Sequence, residues 1–392
     1  MDRLARTKAI LGDLIAFPTV SADPNLEMIA YLADLLGQAG AHVELQRDDT
    51  GHKANLFATL GPEVSGGVVL SGHSDVVPVA EQPWTLDPFA MTERDGRLYG
   101  RGACDMKGFI AAALAMAPEF ASADRARPIH FAFTYDEEVG CLGARALMRL
   151  LEDKPYRPAI AIIGEPTEMR IIEGHKGCYE YTTRFEGLAG HGSAPERGVN
   201  AVEFAVRYVA RLLELKDELR RSAPEGSRFD PPWTTVNVGA LQGGSAHNVI
   251  AGRAHVDWEM RPAAEADADY VKTQLALYCS QRLLPEMRAV WPEASIETEV
   301  IGEVAGLVPT DANLARRIVA ELTGANGADC VPFGTEAGLF QALGMDVVVC
   351  GPGSIEQAHK ADEYLEVAQL SRCLDMLSGL AERRLGPEDA KG

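Results

Sequence analysis

Five potential metal ligands and a candidate proton acceptor in this sequence stand close to apolar, strand-like runs or glycine-bracketed turns. His73 and Asp75 follow GGVVLSG, Glu137 and Glu138 end IHFAFTYDEE, and Glu165 follows AIAIIG. His359 comes shortly after DVVVCG, and Asp105 sits in the segment YGRGACDMKG. In an open parallel sheet, ligands gather in the crevice beyond the carboxyl ends of the strands, so residues far apart in the chain can converge. Asp105, Glu138 and Glu165 set their negative charges against the positive charge of two divalent ions, and one hydroxide balances the remainder. With His73 and His359 completing the shells, the mixed imidazole and carboxylate donors suit two zinc ions, and also cobalt or manganese. The pattern points to a metal-dependent hydrolase.

Taken alone, each residue has a plainer reading. His73 can satisfy a local hydrogen bond, Asp105 can cap the helix that follows it, and Glu137 and Glu138 can be an exposed loop. Glu165 precedes Pro166, whose ring restricts its neighbour and makes simple turn chemistry an alternative. The set is more specific than its members. Asp75 lies near enough to His73 to accept a hydrogen bond from the ring nitrogen that faces away from a metal. If Glu138 is a ligand, Glu137 beside it is free to accept a proton from an attacking water. Three carboxylates converging without cations would repel one another.

The elements that must position these residues alternate between strand and helix. An amphipathic helix over the first residues ends at Pro18, and a second is expected over Asn25–Gln38. Strands are expected at His42–Gln46, Asn55–Leu60 and after Gly66–Gly67, with helices at Lys107–Phe120 and Gly143–Leu151. This order implies βαβ units and a largely parallel sheet. Near His175 the pattern changes to alternating segments: CYEYTTRFEG, TTVNVGALQ, RAHVDWEM and SIETEV, with helices over Ala201–Leu219 and about Asp267–Leu284. From Asp311 the α/β pattern returns. The expected architecture is a discontinuous, mostly parallel-sheet metal-binding domain, residues 1–174 and 306–392, interrupted by an inserted α+β domain, residues 175–305. The tail GPEDAKG reads as frayed.

Composition narrows the partners. Asp and Glu total 57 against 37 Lys and Arg, a balance that argues against nucleic acid, which needs clustered bases. The seven cysteines include no close pair, so a disulfide framework or thiolate zinc site is not expected, and a reducing cytoplasm is. No run approaches the length of a membrane span.

SGHSDVVP, Trp84, YGRGACDMKG, DEEVGCLG, IIGEPTE and SIEQAHKADEY resemble the two-metal aminoacylase and carboxypeptidase family, and the resemblance covers almost the whole chain. It implies that His73 and Glu165 hold one ion, Glu138 and His359 the other, that Asp105 bridges, and that Glu137 is the general base. It also implies a cis peptide between Asp105 and Met106, and a homodimer whose inserted domain serves as lid and dimerisation domain. EGHKGC, PFGTEAGLFQ and GPGSIEQAHKADEY carry a narrower match, to a deacetylase branch acting on a small N-acylated amino acid. His191, in GLAGHGSAPERG, then steadies the developing oxyanion, and Asn248, Arg261 and Thr335 contact substrate, Arg261 gripping a carboxylate. Glu336 is expected to meet a cationic end of the substrate. Another N-acyl-amino-acid or dipeptide hydrolase is the rival enzyme, and a non-catalytic scaffold the rival of another class. Plainer readings of the inserted domain's residues are a structural imidazole for His191, an Asx turn for Asn248 and a salt bridge for Arg261.

Overall fold

The computed structural model describes residues 2–123 and 126–383, so the tail GPEDAKG lies outside the described residues. The chain divides into two units: Met1–Gly174, Pro309–Cys330 and Thr335–Gly392 form the first, and His175–Val308 with Val331–Gly334 the second.

In the first unit, short runs rich in β-branched residues make strands buried along their whole length. Val68–His73, Ile129–Thr134, Ile160–Pro166 and Asp346–Gly351 are the middle of an eight-stranded sheet, and they pair in parallel. Apolar residues on both faces are what a parallel sheet covered by helices requires. Flanking strands run antiparallel: Ala54–Leu60 pairs with Ile129–Thr134, and His42–Arg47 forms one edge. Ile172–His175 and Asp329–Val331 complete the other side.

The Ala-rich helix Gly108–Ser122 is buried over nearly its full circumference, with Phe109 and Ile110 fully enclosed. Its close approach to the sheet depends on Gly164, where a Cβ would lie 2.0 Å from the Phe109 ring. Truncating Phe109 to alanine would cost about 3–5 kcal/mol by the usual cavity penalty. The first helix, Arg3–Ala16, is capped by Asp2, which accepts the Ala5 amide at 2.7 Å.

Three short strands escape the sequence reading. Thr92–Arg94, Arg97–Tyr99 and Tyr364–Glu366 form a separate sheet, and three residues are too few for an alternating pattern to show.

The second unit is a four-stranded antiparallel sheet of Cys178–Glu186, Thr235–Gly243, Arg253–Arg261 and Ser295–Val304, with helices on one face. Its core stacks Tyr181 on Trp258 at 4.4 Å and places Tyr208 edge-on to the indole. Tyr208 belongs to the helix Ala201–Arg221, whose buried stripe packs on this sheet while Val206 and Leu213 stay exposed. The helix expected over Asp267–Leu284 is broken: Glu265–Tyr278 passes through a π turn at Cys279–Leu283 into Leu284–Val290. Pro285 explains the change, because it has no N–H to continue the ladder. No helix among the described residues is long and apolar enough to cross a membrane.

Candidate metal centre

His73 is the last residue of Val68–His73, Glu165 lies at the end of Ile160–Pro166, and Glu137 and Glu138 follow Ile129–Thr134. Three adjacent parallel strands thus deliver their acids and imidazole to one end of the sheet. His73 Nε2 lies 3.0 Å from Asp105 Oδ1 and 3.7 Å from Glu165 Oε1. His359 Nε2 lies 3.3 Å from Asp105 Oδ2 and 3.0 Å from Glu138 Oε2. The two oxygens of Asp105 therefore face two different imidazoles, the arrangement a bridging carboxylate needs. Ligand atoms of His73, Asp105 and Glu138 fall within 4.8 Å of one another, as do those of His73, Glu137 and Glu165. The Asp105–Met106 peptide is cis.

The electrostatics fit a pair of cations. Burial, joined by Asp105, pushes the Glu165 carboxyl well above its ordinary range, and burial with the Asp105 charge raises Glu138 as well. Glu137 is driven up to about 8, chiefly by burial and further by Glu138, Asp105 and Asp75, with His73 opposing. Burial disfavours a charged His73, but the Asp105 contact and the Glu165 charge outweigh it and hold its pKa well above the usual value. Asp105 and Glu138 raise His359 to about 10. The carboxylate contacts favour protonated imidazoles, and binding of divalent ions by these residues would release those protons. The donor set suits two such ions, with His73 and Glu165 for one, His359 and Glu138 for the other, and Asp105 for both.

Asp75 differs from its expected role. The His73 Nδ1 partner is the backbone carbonyl of Asp75 at 2.9 Å, while the carboxylate stands 3.6 Å away, beyond a hydrogen bond. That carboxylate instead accepts the amides of Glu137 at 3.1 Å and Glu138 at 3.3 Å, and the Ser21 hydroxyl at 2.7 Å. It orients the acid pair rather than the imidazole. Glu336 does not meet solvent: it is 1% exposed, and its oxygens accept the hydroxyls of Ser71 at 2.6 Å and Thr134 at 2.8 Å. Those bonds tie two ligand-bearing strands, which corrects its assignment to a substrate cation. Thr335 is also buried, its hydroxyl accepting the Ala337 amide at 3.1 Å. Cys104 is enclosed, with its thiol directed to the Ser354 carbonyl at 3.3 Å.

A second layer that the sequence reading missed surrounds Asp105. Glu363 accepts the amides of Gly102, Cys104 and Asp105 at 3.0, 2.8 and 3.0 Å, and pairs with Arg101 at 2.7 Å. Both side chains of that pair are 1% exposed. The signal lay inside HKADEY, four residues beyond a recognised ligand.

In the second unit, the structure brings His191 and Asn248 side by side. Gly190–His191 pairs with Val249–Ile250, and the Gly192 amide donates to the Asn248 carbonyl at 2.7 Å. His191 is exposed, with Nδ1 2.8 Å from the Ser193 hydroxyl. Arg261 is paired with Glu259 at 2.8 Å.

A model of the peptidase family M20/M25/M40 matches residues 69–383. The acetylornithine deacetylase of Myxococcus xanthus is 39% identical over 391 residues, covering 96% of this chain and 97% of that one. That of Klebsiella pneumoniae is 36% identical, with 93% and 94% covered. Among solved structures, an aminopeptidase PepT from Bacillus cereus shares the fold with a TM-score of 0.70 at 20% identity, covering 97% of this chain and 98% of that one. A dinuclear metal-binding M20 peptidase from Bacillus subtilis does so at 0.63 and 16%, with 97% of each chain covered.

Proposed function

The chain belongs to peptidase family M20/M25/M40, and from that premise we propose that it hydrolyses N2-acetyl-L-ornithine to L-ornithine and acetate, a step of arginine biosynthesis. The observation that carries the hydrolytic part is the geometry of Asp105, whose two oxygens serve two imidazole-and-carboxylate pairs with Glu137 beside them. The substrate follows from near full-length likeness to acetylornithine deacetylases.

His73, Glu165, His359, Glu138 and the shared Asp105 would hold two divalent ions, zinc proposed ahead of cobalt or manganese, which when bound would supply Lewis acidity and lower the pKa of a water from 15.7 toward neutrality. The remaining work belongs to side chains. Glu137 accepts the proton of the attacking water and returns it to the leaving amine. Asp75 holds the Glu137 and Glu138 amides, so the base keeps its orientation through both transfers. Arg261 and Asn248 are the proposed substrate contacts, and Arg261→Lys, which keeps charge but loses the fork of donors, should raise KM without altering metal content. An unchanged KM would return Arg261 to its Glu259 salt bridge.

We also propose a cytoplasmic homodimer in which His191 of one copy donates to the oxyanion formed in the other. Mixing inactive Glu137→Gln and His191→Ala chains should then restore activity through a site carrying neither lesion. No recovery despite subunit exchange, verified by mass spectrometry, removes that role. For the substrate, steady-state kinetics on acetylornithine, N-acetylcitrulline, N-acetylmethionine and succinyl-diaminopimelate decide. A higher kcat/KM for any of the last three overturns the assignment.

A further inference from the structure

Glu363 makes contacts of a kind that its burial alone does not require. One oxygen accepts the amides of Cys104 and Asp105, and the other accepts the amide of Gly102 and the Arg101 guanidinium. These charge-assisted bonds gather the turn from which the bridging carboxylate projects. Glu363 stands in the same loop as His359, so the turn and the loop share one anchor. A second path joins them: Arg101 donates to the Gln82 carboxamide and to the Lys360 carbonyl at 3.3 Å, and Gln82 Nε2 donates to the His359 carbonyl at 2.9 Å. The ladder Tyr364↔Tyr99 and Leu365↔Leu98 continues the join beyond Glu363. His359 needs such an anchor. Its side chain is 53% exposed and its backbone has φ of 61°, a left-handed conformation that a non-glycine residue holds only when its surroundings impose it.

We propose that Glu363, acting with Arg101 and Gln82, is a positioning residue that sets Asp105 Oδ2 against His359, so that the ion held by His359 and Glu138 depends on it. Glu363 is not itself a ligand, because both oxygens are committed to the turn. The ion held by His73 and Glu165 also uses Asp105, but its other two ligands come from strand ends, so it depends on this network much less. The proposal rests on the two-ion reading of the site and not on the choice of substrate.

The test titrates zinc into metal-free protein and follows cobalt absorption spectra in parallel. Glu363→Gln should weaken one of the two binding events by roughly 10–100-fold, as loss of an outer contact to a ligand typically does, and leave the other near its original affinity. Gln82→Ala, at a partly exposed position, should weaken the same event by a smaller factor and change the same cobalt band. Ile318→Ala, buried in the same unit but outside the network, serves as the stability control: it should lower Tm and leave both events unchanged. Two undisturbed events in both network variants overturn the proposal, as do equal losses at both sites or a matching loss in Ile318→Ala. If Glu363→Gln does not fold, Gln82→Ala decides alone. An unaltered chain that takes up fewer than two ions overturns the two-ion reading and the proposal with it, a result distinct from the others.

Discussion

The two halves of the metal centre are built differently. His73 and Glu165 terminate neighbouring strands and are 1% and 5% exposed, so the sheet that buries them also aims them. His359 sits on a loop, half open to solvent, and its orientation comes from contacts made by residues that are not ligands. A strand-borne ligand inherits its position from many backbone hydrogen bonds, whereas a loop-borne ligand must be given one. Perturbations should therefore divide the site along this line.

The largest effect is expected from Glu137→Gln, which leaves both halves intact and removes only the base. It should lower kcat by about 100–10,000-fold with two ions still bound, and a loss below about tenfold would refute the role. His359→Ala breaks the loop-borne half. One zinc event should be lost or greatly weakened while the His73 and Glu165 event persists, and calorimetric titration showing two unchanged events would remove His359 from the shell. Asp75→Asn probes the support of the acid pair. The amide keeps one acceptor for the Glu137 and Glu138 amides, so kcat should fall by roughly 10–100-fold, as for loss of other outer partners. An unaltered kcat would make Asp75 a bystander.

The smallest effect separates burial from charge within the sheet. His130 is fully buried, like His73, but it stacks on Phe57 and Tyr156 instead of facing carboxylates. Burial, with a smaller push from Lys154, depresses its pKa to about 3. The folded value lies below the unfolded one, near 6.5, so its neutral form costs nothing above pH 6.5. Stability is lost as pH falls from 6.5 toward 3, where only the unfolded chain takes the proton. Between pH 7 and pH 5 this amounts to about 2 kcal/mol, at 1.36 kcal/mol per unit. Urea denaturation of metal-free protein should show a shallower acid loss in His130→Leu than in the unaltered chain. Equal slopes would mean that His130 does not titrate as its burial implies.

The same division explains what the sequence made legible. His73, Glu138 and Glu165 could be found because each closes an apolar run, and a parallel strand carries its terminal residue to a predictable edge. Asp75 was located correctly but given the wrong bond, since nothing in the spacing indicates that its backbone carbonyl reaches the imidazole before its carboxylate does. The pattern around Glu336 reads as a loop open to substrate, while the hydroxyls that enclose it come from Ser71 and Thr134, remote in sequence. Glu363 stands inside HKADEY, but that motif does not show what it binds: its partners are backbone amides some 260 positions earlier, and amides have no identity in a sequence.

The order of the ligands along the chain also sets a timetable. His73, Asp105, Glu138 and Glu165 are all made before the ribosome reaches the second unit, and His359 follows roughly 200 residues later. At about 5–20 residues per second, that gap lasts on the order of 10–40 s. For that interval the nascent protein carries the strand-borne half with its acidic neighbours and without the loop that closes the other half. Glu363 arrives with His359, so the anchor is made together with the ligand it serves.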